Sequence, residues 1–188
     1  MGRPFVNAQD CGETILTNFK NFIQPGDDLY VAGDLAMDQS WLERFDEATK
    51  HAASRLLVKG NYDRLDDAEY LKVFDDVTDK FLDFDLYSGE SVLPCRLHHY
   101  PSQYAIPERF SLCGHIHNAW LIQKNMLNLS VDVHHFLPIT GEKVSFYFNG
   151  ICDFFDDDVW VAGHPANSAH NHRGRPSTYW ARGFGGSR

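Results

Sequence analysis

The sequence of 188 residues has no long hydrophobic run, few cysteines and a deficit of basic residues. Its apolar runs are short, as at 56–58, whereas a membrane-spanning helix needs about 20 consecutive apolar residues. The residues after Met1 also lack the apolar core of a secretory signal. We therefore expect a cytoplasmic protein with no membrane partner.

The cysteine spacing and the net charge argue against further classes of protein. The four cysteines lie far apart and form no C-x-x-C pair, which argues against a disulfide framework and a thiolate zinc site. The formal net charge is −9, from 26 acidic and 17 basic residues, which argues against a general nucleic-acid coat. Ten histidines are the unusual feature, because imidazole is the commonest side-chain metal ligand.

Apolar periodicity predicts an alternation of helices and strands in the first half of the chain. A helix is expected from near Asp10, with the apolar stripe Ile15, Leu16, Phe19, Phe22 and Ile23. A strand at 29–32 follows, then a helix at 40–54 and a second strand at 55–59. This alternation predicts a parallel sheet whose strands end at one edge, where α/β sheets bind ligands.

The pattern changes after residue 73. Short candidate strands lie near 80–87, 93–98, 110–113, 126–131 and 144–148, which predicts a second, mixed sheet. The predicted fold class is therefore α/β, a sandwich of two sheets. We expect one domain over 1–150, followed at 151–188 by an acidic segment and a tail rich in Gly, His and Arg, extended or disordered.

Residue types that bind metals stand at the ends of four apolar runs. The segments are Gly33-Asp34, Gly60-Asn61-Tyr62-Asp63, His99 and Gly114-His115-Ile116-His117. Carboxylate, amide oxygen and imidazole form a mixed donor set suited to Mn²⁺, Fe or Zn²⁺. His115 and His117 share one side of an extended segment, and His99, rather than His98, is taken as the inward neighbour before Tyr100-Pro101.

In this order the segments resemble the calcineurin-like metallophosphoesterases, whose motifs are D-x-H, G-D, G-N-H-D, H and G-H-x-H. The resemblance extends over about residues 3–148 and is closest to the small bacterial and phage-type members. It implies a two-sheet αββα sandwich. It also implies hydrolysis of phosphate mono- or diesters by a metal-bound hydroxide.

The resemblance assigns a role to each candidate residue. Asp34 would bridge two metal ions, and Asn61, His99 and His115 would complete the shell of one of them. His117 would bind the other ion. Mn²⁺ is the first candidate, with Fe, Zn²⁺ or Ni²⁺ as alternatives, and the expected number of ions is one or two.

Two differences from the family pattern matter for activity. The family's D-x-H lies on a first strand ahead of a segment like Arg3-Pro4-Phe5, and the sequence starts two residues before Arg3. The first strand is therefore expected to be missing from the sheet, and the second metal ion to be weakly bound or missing. Tyr62 replaces the histidine of G-N-H-D, the usual leaving-group acid. Tyr62 and Asp63 form the candidate catalytic pair. Tyr62 would either donate a proton or only pack in the pocket.

Two functions from different classes follow. The first is a metal-dependent phosphoesterase with a phosphate-ester substrate. The second is a catalytically degenerate protein of the same fold that acts as a binding or structural component of an assembly. His134 and His135 are expected to be structural. The tail could bind a protein or RNA partner through Arg173, Arg175, Tyr179, Trp180 and Arg182.

Overall fold

The structure is a computed structural model that describes residues 2–154, and these residues form two β-sheets with helices packed against them. In chain order the elements are α1 (Ala8–Phe22), β1 (Asp28–Val31), α2 (Gln39–Thr49), β2 (Ser54–Val58), α3 (Asp67–Tyr70), β3 (Asp76–Thr78), β4 (Phe81–Ser88), β5 (Ser91–His98), β6 (Phe110–Cys113), β7 (Ile122–Gln123), β8 (Met126–Asn128), a 3₁₀ turn (Val131–Val133) and α4 (Gly141–Phe154).

The first sheet, sheet A, has three parallel strands in the order β1-β2-β3. Helices α1 and α2 are capped at their N-termini by Asn7 and Asp38, whose side chains accept hydrogen bonds from the backbone N–H groups of Asp10 and Trp41. Both helices place apolar side chains on the sheet, where Phe45 packs with Leu57 and Phe74 in a buried cluster. The predicted parallel layer is confirmed.

The second sheet, sheet B, has five strands in the mixed order β4-β5-β6-β8-β7. β6 lies in its centre, pairs in parallel with β5 and β8, and has all four residues buried. Leu97, Leu112 and Leu127 of this sheet share a core cluster with Val58 of sheet A. The two sheets therefore enclose a common apolar core, as expected for an α/β sandwich.

One predicted element is wrong. Residues 144–148 were expected to form a strand, but they lie in helix α4. Val144 and Ile151 are seven residues apart and both enter the core, and Phe148 between them packs on Phe110, which is helical spacing. An apolar run of five residues is too short to distinguish the periodicity of a helix from that of a strand.

The other differences are three short elements that the sequence did not predict, α3, β3 and β7, and shifts of boundaries. Helix α2 ends at Thr49 rather than at 54, and the strand predicted at 126–131 ends at Asn128, before the 3₁₀ turn. The domain boundary expected at 150 falls inside α4. The tail, with its predicted extended or disordered state and its partner, lies outside the described residues.

Candidate metal centre

The candidate ligands follow strand ends in both sheets. Asp34 is the third residue after β1, and Asn61 is the third after β2. His99 follows β5 directly, and His115 is the second residue after β6. Parallel pairing puts the ends of β1 and β2 at one edge of sheet A, and the ends of β5 and β6 at one edge of sheet B. Sandwich packing then brings the two edges together.

The loops after β1 and β2 approach each other so closely that two positions need glycine. A Cβ on Gly33, which has φ +87°, would lie 2.5 Å from the backbone nitrogen of Gly60. A Cβ on Gly60 would collide with the Asp34 carboxylate. The Gly-Asp and Gly-Asn pairs of the sequence are therefore steric requirements of the loops that carry Asp34 and Asn61.

The ring of His99 has a defined orientation and is almost fully buried. Its Nδ1 lies 2.7 Å from the carbonyl oxygen of Ala32, which can only accept, so Nδ1–H is the donor. In the neutral ring the lone pair is then on Nε2, which faces Asn61 Oδ1 at 3.2 Å and Asp34 Oδ1 at 3.5 Å. A backbone carbonyl that orients an imidazole in this way is typical of histidine metal ligands.

Four groups with lone pairs converge at this point. Ligand atoms of Asp34, His99 and His115 all lie within 4.8 Å of one another. The amide oxygen of Asn61 joins them, 3.0 Å from His115 Nδ1 and 3.2 Å from His99 Nε2. When the His99 ring is neutral, no proton lies between its Nε2 and the Asn61 oxygen. The arrangement therefore suits a cation coordinated by oxygen and nitrogen.

The electrostatics of His115 agree with a ligand role. Burial lowers the pKa of His115, the nearby His99 ring lowers it further, and the Asp34 carboxylate opposes the change. A lowered pKa favours the neutral imidazole, which is the form that binds metals. Asp34 and His115 also have positive φ angles of 55° and 67°. Such backbone conformations are uncommon outside glycine and concentrate at functional sites.

The side chain of Asp63 is buried beside this site, where it binds backbone N–H groups of the loops that carry the candidate ligands. Its carboxylate accepts hydrogen bonds from the backbone N–H groups of Asp34, Leu35, Ala36 and Gly60, at 2.7–3.0 Å. It is 6% exposed. One carboxylate therefore joins the loop after β1 to the loop after β2 and positions Asp34. The sequence placed Asp63 in the catalytic pair and carried no signal for this function.

Tyr62, the other candidate catalytic residue, lies at the rim. Its backbone N–H donates to Asp34 Oδ1 at 2.9 Å, and its side chain is 44% exposed. The guanidinium of Arg64 lies 5.7 Å from the centroid of its ring. The phenol is therefore exposed to solvent, and a cationic group stands beside its ring.

His117 lies outside the cluster of Asp34, His99 and His115. Its Nδ1 is 3.1 Å from Asp132 Oδ2 and 3.5 Å from Nη2 of Arg3. Arg3 forms a two-pronged ion pair with Asp132, at 2.7 and 2.8 Å. Burial raises the pKa of Asp132, but the hydrogen bonds from Arg3 and His117 outweigh burial, and the pKa is lowered.

Sequence reasoning gave Arg3 and Asp132 no site function. The residues are 129 positions apart, and only the tertiary structure brings them together beside His117. The available signal was indirect, because Arg3 lies in the short segment Arg3-Pro4-Phe5 that also carries the family resemblance.

Two histidines outside the cluster are core residues in the described structure. His98 is fully buried, its Nδ1 lies 2.8 Å from the carbonyl of Tyr100, and burial lowers its pKa. Nε2 of His134 lies 2.8 Å from the carbonyl of Asn128. Both rings lie in the protein interior, as expected for histidines that serve packing.

Comparisons with known proteins identify a fold relative but no family. No family model and no curated protein matches this chain. Among solved structures, the crystal structure of a protein of unknown function from Aquifex aeolicus is similar, with a TM-score of 0.55 and 21% sequence identity over 77% of this chain and 88% of that chain. This likeness concerns the fold alone. Within residues 2–154, no helix has the length and apolarity needed to cross a membrane.

Proposed function

We propose that this protein is a metal-dependent phosphoesterase with the fold and reaction of the calcineurin-like metallophosphoesterases. The observation that carries the proposal is the convergence of Asp34, Asn61, His99 and His115 from two sheets and four strand ends. The order of the four sequence motifs supports the reaction class.

The residues present fit a first-row divalent ion. One carboxylate, one amide oxygen and two imidazoles are a hard-to-borderline donor set that suits Mn²⁺, with Fe, Zn²⁺ and Ni²⁺ as alternatives. Three of the donors approach one another within 4.8 Å, and His99 has the carbonyl partner that orients a ligand. Because His117 faces Asp132 and Arg3, we propose one ion per chain held by these four residues.

A bound divalent ion would supply Lewis-acid stabilisation of the negative charge on a phosphoryl group. Water would be the nucleophile that replaces the leaving oxygen on phosphorus, and the chain's own residues would position the groups and protonate the leaving oxygen. Asp63 holds the backbone of Asp34, and the Ala32 carbonyl keeps the His99 lone pair directed inward. Arg64 would attract the ester's negative charge, and the exposed hydroxyl of Tyr62 would give a proton to the leaving oxygen.

A phenol is a weak acid at neutral pH, since its ordinary pKa is near 10. We therefore propose that the preferred substrates have good leaving groups. Loss of general acid catalysis typically costs about 10²–10⁴ in rate when the leaving group needs a proton. An activated aryl leaving group does not need one, so Tyr62→Phe should leave hydrolysis of an activated aryl phosphodiester nearly unchanged. The same variant should slow hydrolysis of an alkyl ester.

The first experiment is Mn²⁺ binding by isothermal titration calorimetry, with hydrolysis of an activated aryl phosphodiester measured in parallel. Asp34→Asn is the key variant, because asparagine keeps the shape, accepts from Tyr62 N–H and tolerates the positive φ. It should weaken Mn²⁺ binding by roughly tenfold or more and abolish turnover. His135→Asn, an exposed histidine outside the cluster, is the matched control and should change neither.

The results distinguish the phosphoesterase from the catalytically degenerate binding protein. A stoichiometry near one Mn²⁺ per chain with turnover supports the proposal as stated, and a stoichiometry near two would return His117 to the ligand set. Binding of one ion without turnover of any phosphate ester would support the degenerate binding protein instead. No Mn²⁺ binding in the wild type would contradict the metal site itself.

A further inference from the structure

The structure contains a large cleft along the free side of β1, the edge strand of sheet A. Its volume is about 630 Å³, within the range of about 300–1,000 Å³ that is usual for small-molecule sites. Every residue from 28 to 35 lines the cleft, and helix α1, strand β4 and the segment 137–139 form other walls. The cleft is therefore large enough to hold a small-molecule ligand.

The walls of the cleft are apolar and partly exposed. Leu29, Tyr30 and Val31 of β1 are half-buried, whereas Leu57 and Val58 of the neighbouring β2 are fully buried. Half-buried apolar residues also line the other walls, among them Ile15, Phe19, Phe84, Leu86 and Ile139. A contiguous apolar surface of this kind marks a ligand-binding groove or an interface.

The cleft reaches the candidate metal centre. Asp34 and His115, two of the four candidate ligands, line it. Arg3 also lines it at this end, with its Nη2 3.5 Å from His117 Nδ1. Asp28 lines the cleft at the opposite end of β1. This distribution of charge favours a ligand whose anionic group lies at the metal end and whose remainder is uncharged.

We propose that the cleft binds an apolar chain of the substrate, so that the substrate class is an amphiphilic phosphate ester. Its phosphate would lie at Asp34 and His115, and its acyl or alkyl chain would run along β1 between α1 and β4. Residues 28–34 extend over at most about 20 Å, which leaves room for a chain longer than an octyl group. This assignment rests on the proposed phosphoesterase function.

The free edge of β1 is compatible with such a ligand. Among the described residues, β1 pairs with β2 alone, so backbone N–H and C=O groups on its other side face the cleft. Such groups need hydrogen-bond partners. The ester or amide linkage of an acyl chain would supply them next to the apolar walls.

Isothermal titration calorimetry of the full-length protein without metal tests the chain site independently of the reaction. Octyl phosphate and butyl phosphate have the same head group and differ by four methylenes, and both are used below the concentration at which micelles form. Each buried methylene contributes up to about fourfold in affinity. Octyl phosphate should therefore bind roughly tenfold to 200-fold more tightly than butyl phosphate.

Ile15 and Leu137 are the residues to change, because they line the cleft and are not members of the two core clusters of the described structure. Ile15→Gln and Leu137→Gln should each weaken binding of octyl phosphate by roughly threefold to tenfold and leave butyl phosphate unchanged. Leu71→Gln, at an exposed position outside the cleft, is the matched control and should change neither. Circular dichroism checks that all three variants fold.

Hydrolysis of p-nitrophenyl phosphodiesters with Mn²⁺ connects the cleft to the reaction. The ester with an octyl group should have a kcat/KM roughly tenfold or more above that of the ester with a butyl group. The gain should appear in KM, because the chain makes the same contacts in the ground state and the transition state. Ile15→Gln and Leu137→Gln should reduce it and leave hydrolysis of the butyl ester unchanged.

The failure of the chain site and the failure of the reaction give different results. Equal affinities of the metal-free protein for octyl and butyl phosphate would overturn the chain site and leave the free edge of β1 to a polypeptide strand. Tighter binding of octyl phosphate with equal kcat/KM for the two esters would overturn the assignment of the cleft to the substrate. Tighter binding of octyl phosphate without hydrolysis of either ester would support the chain site and contradict the phosphoesterase alone.

Discussion

The two sheets contribute opposite halves of the candidate site, and each half is held by one buried side chain of opposite hydrogen-bonding character. At the end of sheet A, the Asp63 carboxylate accepts hydrogen bonds from four backbone N–H groups of the loops that carry Asp34 and Asn61. At the end of sheet B, the amide of Asn128 donates to the carbonyls of His117 and Trp120, at 2.7 Å each.

The difference follows from loop geometry. The loops of sheet A turn their N–H groups inward, so an acceptor without protons satisfies them, whereas the loop after β6 turns carbonyls inward and needs a donor. The candidate metal donors differ in the same way, since sheet A supplies oxygens and sheet B supplies imidazole nitrogens. Exchanging a carboxylate and an amide at these positions is therefore a direct test of the comparison.

Asn128→Asp should have the largest effect. Asn128 is fully buried, and its Oδ1 also accepts from Ser130 N–H. An aspartate would set a carboxylate oxygen against two carbonyl oxygens, which we expect to lower the free energy of unfolding by about 3–5 kcal/mol. Urea unfolding followed by circular dichroism measures it.

The control for Asn128→Asp is Asn149→Asp, the same exchange at an exposed position of α4. It should change the unfolding free energy by about 0.5 kcal/mol or less. A similar, small loss in both variants would mean that Asn128 does not organise the loop after β6.

Asp63→Asn is the mirror-image exchange in sheet A and should have a smaller but clear effect. The amide keeps one acceptor oxygen but turns its NH₂ group toward backbone donors, for an expected loss of about 2–4 kcal/mol. Because Asp34 would lose its backbone anchor, Mn²⁺ affinity should fall by roughly tenfold or more as well. Chemical unfolding and calorimetric titration measure the two effects.

Asp66→Asn is the matched variant, since Asp66 is exposed and its side chain makes no capping hydrogen bond at the start of α3. We expect it to leave stability and Mn²⁺ affinity nearly unchanged. If Asp63→Asn bound Mn²⁺ as the wild type does, Asp63 would serve stability alone.

Asp83→Asn, in sheet B and outside the set of candidate ligands, should have the smallest effect. Hydrogen bonds from Arg96, at 2.7 and 2.8 Å, lower the pKa of Asp83. A lowered pKa contributes stability above the unfolded-state pKa and loses it as the pH falls through the folded-state pKa. The pair is partly exposed, so the variant should cost about 0.5–1 kcal/mol at pH 7.

Unfolding curves of the wild type and Asp83→Asn, measured at pH 7 and in acid, test whether the stability difference between them depends on pH in this direction. The difference between them should shrink as the pH falls below about 4, where the unfolded carboxyl protonates. A difference that stays constant with pH would show that the Arg96 pair is not its source. Asp85→Asn serves as the matched comparison, because Asp85 lies two residues further along β4 and faces Arg109 at 3.5 Å rather than Arg96.

Much of the fold and of the candidate site, the cluster that contains Asp34, His99 and His115, could be predicted from the sequence, because the signals are local. Apolar runs that end in Gly-Asp, Gly-Asn and Gly-His mark strand ends, and parallel strands bring such ends to one edge. Helix α4 could not be recognised, since its five-residue apolar run is compatible with both periods until Ile151 is included.

The supports of the site were not predictable. The sequence predicts Asp63 as a member of the candidate catalytic pair, and it carries no signal that the carboxylate is buried against backbone N–H groups of two loops. The pairing of Arg3 with Asp132 joins residues 129 positions apart. Contacts of this range depend on how the sheets pack and leave no periodic signal in the chain.

The amino-acid sequence by itself determined the alternation of helices and strands and the residue types at the strand ends, because both depend on spacing within a few residues. The tertiary structure decided which of these residues share a site. It brought Asp34 and Asn61 of sheet A against His99 and His115 of sheet B and turned His117 toward Asp132. The physical reason is burial: packing the two sheets around one apolar core sets the distance between their edges, and that distance lies outside any local pattern.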